Sequence, residues 1–141
     1  MMMIVFTVDG KPQGKGRPRF RRAGEYVRTY TDSKTLGYEA TIRQSATTAM
    51  GSSRPLEGPV GVDLYIRLPV PTSHSKKRRE ACIAGAERPT KKPDIDNVVK
   101  AYLDAMNGVI YLDDTQVVRV SAKKVYSSVA GVDVCVREEI L

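Results

Sequence analysis

The chain has one histidine, His74, and two cysteines, Cys82 and Cys135, in 141 residues. With the only histidine in a polar linker, histidine-based zinc or triad chemistry is essentially excluded. The cysteines lie in unlike surroundings, one in a basic linker and one in a valine-rich strand, without metal-ligand spacing. A reduced pair is expected, and no disulfide framework. No apolar run approaches the roughly 20 residues that span a bilayer. Met1-Met2-Met3-Ile4-Val5-Phe6 lacks a basic n-region and a small-residue cleavage site, and its apolar run ends at Asp9, so it reads as a first strand and not a signal peptide. A soluble, cytoplasmic chain is expected. The length fits one domain with a real core.

Charge is abundant and segregated. The formal net charge is +7. Lys11 to Arg28 holds seven bases (Lys11, Lys15, Arg17, Arg19, Arg21, Arg22, Arg28) against one acid, Glu25. A second basic cluster, Lys76-Lys77-Arg78-Arg79 with Lys91-Lys92, precedes an acidic stretch in which Asp94, Asp96, Asp104, Asp113 and Asp114 face one base, Lys100. One basic run is ordinary solvated surface about as often as not. Two runs bracketing carboxylates point to phosphate contacts, with Lys15, Arg17, Arg19, Lys76, Lys77, Arg78 and Arg79 as the candidate DNA contacts.

Periodicity predicts an α/β chain with a small mixed sheet and two helices, in the order β-α-β-α-β-β. Strands are expected over residues 2–8, 60–70, 117–126 and 132–140, the second with Val62, Leu64, Ile66 and Leu68 on one face. Residues 9–31, rich in Gly, Pro and Arg, read as a loop. A helix over 34–49 starts from an N-cap in Thr31-Asp32-Ser33, with Leu36, Ala40, Ile42 and Ala46 as its apolar stripe. A mobile basic linker is expected over about 71–92. The helix over 95–107 carries Ile95, Val98, Val99, Tyr102, Leu103 and Met106 on its apolar face and ends at Gly108.

On that helix Asp96, Lys100 and Asp104 fall at successive i, i+4 positions and form one stripe. Asp94 follows Pro93 at the N-cap, from which its side chain can swing toward Asp96. Taken alone, this group also fits a bland assignment: an N-cap plus surface ion pairs worth a few tenths of a kcal/mol each. The second group, Asp113-Asp114, changes the balance if the chain reverses after the helix. The carboxylates would then converge and need a cation to offset their repulsion. Oxygen ligands select hard cations, Mg²⁺ or Mn²⁺. An EF-hand is excluded by the valines where its loop needs glycine and oxygen ligands. Gly14-Lys15-Gly16-Arg17 is neither a P-loop nor a dinucleotide fingerprint, so no nucleotide cofactor is expected.

Pro93-Asp94-x-Asp96-Asn97-x-x-Lys100-x-x-x-Asp104-x-x-Asn107-Gly108 followed by Asp113-Asp114-x-Gln116-Val117-Val118 resembles the RusA family of Holliday junction resolvases, small homodimeric endonucleases often encoded in prophages. Gly14-Lys15-Gly16-Arg17-Pro18-Arg19-Phe20 and Thr29-Tyr30-Thr31 are similar to the N-terminal part of one branch of that family. The resemblance implies that Asp94, Asp96 and Asp114 are metal-binding catalytic carboxylates and that Lys100 assists them. It also implies Mg²⁺-dependent hydrolysis of phosphodiesters in four-way junction DNA by paired symmetric nicks, in recombination and repair, inside a bacterial or phage-infected cell. Two other functions stay open: a non-cleaving junction or DNA-binding protein, and a metal-dependent nuclease for flaps or other branched DNA.

Overall fold

A computed structural model describes residues 2–16 and 19–139, with Arg19 by its backbone alone. In chain order the elements are β1 (Met3–Asp9), β2 (Arg19–Ala23), β3 (Tyr26–Tyr30), α1 (Ser33–Met50), β4 (Val60–Pro69), α2 (Lys76–Ala84), α3 (Ile95–Ala105), a 3-10 turn (Asp114–Gln116), β5 (Val117–Ser127) and β6 (Gly131–Glu138). Four strands make one mixed sheet in the order β1-β6-β4-β5, antiparallel except for the parallel β4/β5 pair. The expected β-α-β-α-β-β order is the order of this sheet and its two covering helices.

Two elements depart from the sequence expectation. The segment that reads as a loop contains a hairpin, β2 paired antiparallel with β3 across Gly24 at φ 63°. The basic stretch 71–92 contains a third helix, α2. Its end signals are ordinary ones: Ser75 accepts from the Arg78 backbone N–H at 3.2 Å, and Gly85 closes the helix in the left-handed region at φ 84°. Lys and Arg are good helix formers, so a basic run between such caps is helical as well as charged.

Alternation along the strands sends Ile4, Phe6, Val8, Val62, Leu64, Ile66, Leu68, Val132, Val134 and Val136 into the core. Helices α1 and α3 cover that face. Helix α1 buries Thr35, Tyr38, Ile42, Ala46 and Met50. Leu36 and Ala40, assigned to its apolar stripe, are exposed, because the stripe runs through Thr35 and Tyr38. On α3 the buried residues are Val98, Ala101, Tyr102 and Ala105, and Ile95 is left partly outside. The two helices meet through Tyr38 and Tyr102, whose hydroxyls are 2.6 Å apart and whose rings pack edge to face. Arg43 of α1 then donates to the carbonyls of Ala105 (3.1 Å) and Asn107 (3.0 Å), satisfying the end of α3. The opposite sheet face is charged, with Asp63 held by Arg119 (2.8 Å) and Arg137 (3.3 Å), and Arg67 by Asp133 (3.1 Å). Among the described residues no helix is long and apolar enough to cross a membrane.

Candidate functional site

Asp94 is the N-cap of α3, extended at φ −67° and ψ 141°, and its backbone carbonyl accepts from Val98 N–H at 3.1 Å. Its side chain makes no cap hydrogen bond, so the carboxylate is free for another partner. Asp96 follows in the first turn, where the helix dipole favours an anion. Both are exposed, and neither side chain makes a hydrogen bond or ion pair to another described residue. Lys100, one turn on, lies 3.4 Å from Asp104 with its side chain 65% exposed. The expected stripe is therefore in place, and its far end is an ion pair.

The chain does reverse after α3. The helix ends at Ala105 with Met106 as its cap, and Gly108, expected as the cap, instead takes φ 75° in the turn beyond. Val109 and Ile110 N–H groups both return to the Met106 carbonyl at 3.1 Å, and the Tyr111 carbonyl accepts from Gly108 N–H at 2.8 Å. Tyr111 then lies back along the helix, its hydroxyl donating to the Leu103 carbonyl at 2.6 Å. Burial first, and then the negative charges of Asp114, Asp104 and Asp113, push that hydroxyl above its ordinary pKa. The second acidic group has thus been carried back beside α3.

Adjacent acids there do different things. Asp113 is engaged locally, accepting from the Thr115 hydroxyl at 2.6 Å, which lowers its pKa. The Asp114 side chain makes no hydrogen bond or ion pair to a described residue. Gln116 fixes the loop that carries it: Oε1 accepts from the backbone N–H of Leu112 (2.8 Å) and Asp113 (2.9 Å), and Nε2 donates to the carbonyls of Leu56 (2.8 Å) and Gly58 (2.9 Å). All four hydrogen-bonding sites of one amide are used. The sequence shows Gln116 but no role for it, because its partners at Leu56 and Gly58 are distant in the chain.

The Gly14-Lys15-Gly16 segment straps the two helices together. A Cβ at Gly14 would come within 2.8 Å of Asn97 Cβ, so only glycine fits there. Lys15 N–H donates to the Asn97 carbonyl at 2.9 Å, and Gly16 N–H to the Thr35 hydroxyl at 3.0 Å. Lys15 Nζ is shared between Asp104 (2.7 Å) and Glu39 (2.9 Å). Burial lowers the Lys15 pKa, but hydrogen bonds and charge from Asp104 and Glu39 outweigh it and the net shift is upward. Burial raises Asp104, and Lys15 and then Lys100 outweigh that, leaving its carboxyl below the ordinary value. The amine expected to contact DNA is thus held within the protein.

A cleft of about 1260 Å³ opens between these parts, lined by Lys11 to Gly16, Tyr30 to Leu36, and Lys92, Pro93, Asp94 and Asn97. Of the other expected DNA contacts, Arg17 lies outside the described residues, and Arg19 begins β2. Lys76, Lys77 and Arg79 are exposed on α2. Arg78 is spent on Glu87 through contacts of 2.7, 3.0 and 3.1 Å. The hairpin adds three exposed arginines, Arg21, Arg22 and Arg28, beside exposed Phe20 and Tyr26.

The donor set suits a hard divalent cation: Asp94, Asp96 and Asp114 are oxygen ligands whose side chains have no partner among the described residues. Their carboxylates do not all lie within 4.8 Å of one another; among the described residues the three-ligand group at that spacing is His74, Cys82 and Glu87. The sequence spacing of His74 and Cys82 does not suggest this group, because it is α2 that brings the two side chains together.

The family described as Endodeoxyribonuclease RusA matches residues 9–137. A Bacillus subtilis (strain 168) protein, "Uncharacterized protein YqaN", is 39% identical over 145 residues, covering 98% of this chain and 98% of that protein. The match takes in α3, the reversal after it and the Gly14–Gly16 strap alike, and the chain belongs to the RusA family of endodeoxyribonucleases.

Proposed function

We propose that this chain is a Mg²⁺-dependent endodeoxyribonuclease that resolves Holliday junctions by paired symmetric nicks as a homodimer. The observation that supports this reading is that the side chains of Asp94 and Asp96 at the start of α3, and of Asp114 on the returning loop, have no partner among the described residues, in a family of DNA endonucleases. Asp94, Asp96 and Asp114 would hold the cation, Mg²⁺ or Mn²⁺. A divalent cation bound there supplies an activated water and offsets charge on the phosphate in the transition state.

The chain's own residues supply position and charge. Gln116 holds the loop that carries Asp114 by tying the Asp113 N–H to the Leu56 carbonyl. Lys100 has three N–H donors and, among the described residues, one partner, Asp104 at 3.4 Å; the side chain is 65% exposed, open to an approaching scissile phosphate. Placed there, the ammonium stabilises developing phosphate charge. The basic hairpin and the exposed lysines of α2 supply sequence-independent attraction for the DNA backbone. Two-fold assembly follows from the product, because symmetric cuts in two strands are made most simply by two equivalent sites.

The test is incubation of the purified chain with a mobile four-way junction, a flap and a linear duplex, with Mg²⁺, Mn²⁺ or EDTA, read on a denaturing gel. Paired nicks in the junction alone, abolished by EDTA, are expected. Preferential cutting of the flap makes the chain a nuclease for other branched DNA. Junction binding without cutting in either metal makes it a non-cleaving DNA-binding protein.

A further inference from the structure

Three side chains of different chemistry meet around α2, away from the aspartates of α3. His74 precedes the Ser75 N-cap, and its N–H donates to the Pro71 carbonyl at 3.1 Å, folding it over the helix start. Cys82 lies in the last turn and is 1% exposed. Beyond it, Gly85 in the left-handed region turns the chain back, so that both Ala86 and Glu87 N–H groups reach the Ala81 carbonyl, at 2.9 and 3.1 Å. Glu87 is thereby returned to the side of the helix that Cys82 occupies. His74 Nδ1 and Cys82 Sγ are 3.7 Å apart, and one ligand atom from each of the three residues lies within 4.8 Å of the others.

We propose that His74, Cys82 and Glu87 form a binding site for a borderline-soft divalent cation, zinc in the first place, with water in a fourth position. In a tetrahedral site with Zn–S near 2.3 Å and Zn–N near 2.0–2.1 Å, sulfur and nitrogen ligands stand about 3.6 Å apart. The His74–Cys82 separation already meets that spacing, and the carboxylate has only a short distance to close. Thiolate and imidazole select zinc over magnesium, so this site differs in kind from the all-oxygen set on α3.

Arg78 does not compete for the whole carboxylate. A carboxylate offers about four lone-pair positions, and the guanidinium orients Glu87 while leaving positions free, as hydrogen-bonding neighbours of ligating carboxylates do. Binding converts the Cys82 thiol to thiolate, and its proton passes to solvent. Burial, and then the Glu87 charge, raise the thiol's pKa, against a smaller lowering by Arg78 and Arg79, so the cation provides the positive charge that burial withholds. The consequence is mechanical: a cation would clamp both ends of α2 and fix the direction of Lys76, Lys77 and Arg79. The site stands on its own geometry and does not depend on the nuclease reading.

The full-length chain, stripped with chelator, is titrated with Co²⁺ and then with Zn²⁺. A near-ultraviolet thiolate-to-cobalt band should rise to one equivalent and be displaced by zinc. It should be lost in Cys82→Ser and His74→Ala and kept in Cys135→Ser and Asp94→Asn. Zinc at about 100 times its Kd should raise Tm by roughly 5–10 °C in the unaltered chain and in Asp94→Asn, with no rise in His74→Ala. His74 is half-buried, so its variant is the reading to rely on if Cys82→Ser does not fold. Absence of the band, its survival in Cys82→Ser, or an equal Tm rise in His74→Ala overturns the proposal and leaves a hydrogen-bonded cluster only.

Discussion

Lys15 Nζ stands 2.7 Å from Asp104 Oδ2, an ion pair that ties a glycine-flanked loop to the helix carrying Asp94 and Asp96. Asp104's depressed pKa contributes stability that is present above its unfolded value near 3.9 and is lost as pH falls through the lower folded value. Lys15's raised pKa contributes stability that is present below its unfolded value near 10.4 and is lost as pH rises through the higher folded value. Lys15→Met should cost about 1–2 kcal/mol at neutral pH, since it removes the cation shared by Glu39 and Asp104 and leaves Asp104 with Lys100 alone. Urea melts across pH should show that gap shrinking as pH falls below about 3.9 toward the lowered Asp104 value. A gap that is flat down to pH 2 would mean that packing of the lysine stem, and not its charge, holds the loop.

Asp94→Asn, Asp96→Asn and Asp114→Asn should each abolish metal-dependent cleavage and keep junction binding, because the amide preserves shape and removes the charge that holds a cation. Asp113→Asn should cut nearly normally, since an amide oxygen still accepts from Thr115. Single-turnover cleavage of a labelled junction checks all four, and near-normal cutting removes any of the first three from the site.

Gln116→Ala deletes four hydrogen bonds and should destabilise the chain by about 2–3 kcal/mol. Cleavage should fall with it, because Asp114 loses its fixed position. Denaturant melts and cleavage by the surviving folded fraction separate the two effects; full activity per folded molecule would show that Asp114 needs no such anchor.

Lys100→Ala should slow single-turnover cleavage while leaving junction affinity within a few-fold, as expected of a charge that acts mainly in the transition state. Weak binding with an unchanged rate would make Lys100 a phosphate anchor.

Replacing Arg21 and Arg28 by Ala, or Lys76 and Lys77 by Ala, should weaken junction binding and flatten the plot of log K against log salt by about 0.9 for each phosphate no longer neutralised. Arg78→Ala should leave that slope unchanged, since its guanidinium is held by Glu87. Titrations at several salt concentrations decide, and an unchanged slope for the first two makes those clusters ordinary solvated surface.

The sheet and its two covering helices are legible because alternation at Val62 to Leu68 and the 3.6-residue period of Val98 to Met106 are direct records of burial. Helix α2 is hidden in the sequence because charge masks the Ser75 and Gly85 punctuation. The hairpin is hidden because Gly, Pro and Arg dominate a stretch in which Phe20, Tyr26, Val27 and Tyr30 favour strand. Lys15 shows the limit of reading charge alone. Its glycine neighbours are visible, but their reason, close approach to Asn97 and Thr35, is tertiary. The Asp94, Asp96 and Lys100 positions follow from helix spacing, whereas the return of Asp114 requires the turn at Gly108, whose direction no spacing fixes.

Arg21 and Arg28 are direct cross-strand partners in the β2–β3 hairpin, so two like charges oppose each other on one face of an exposed two-stranded ribbon. Such a pair destabilises the ribbon until something screens or neutralises it. Added salt should therefore firm the free hairpin while loosening its hold on a polyanion, giving order in the arm and affinity for DNA opposite responses to the same ion. A bound phosphate backbone would do locally what salt does everywhere, and the arm would be most ordered where it is in use.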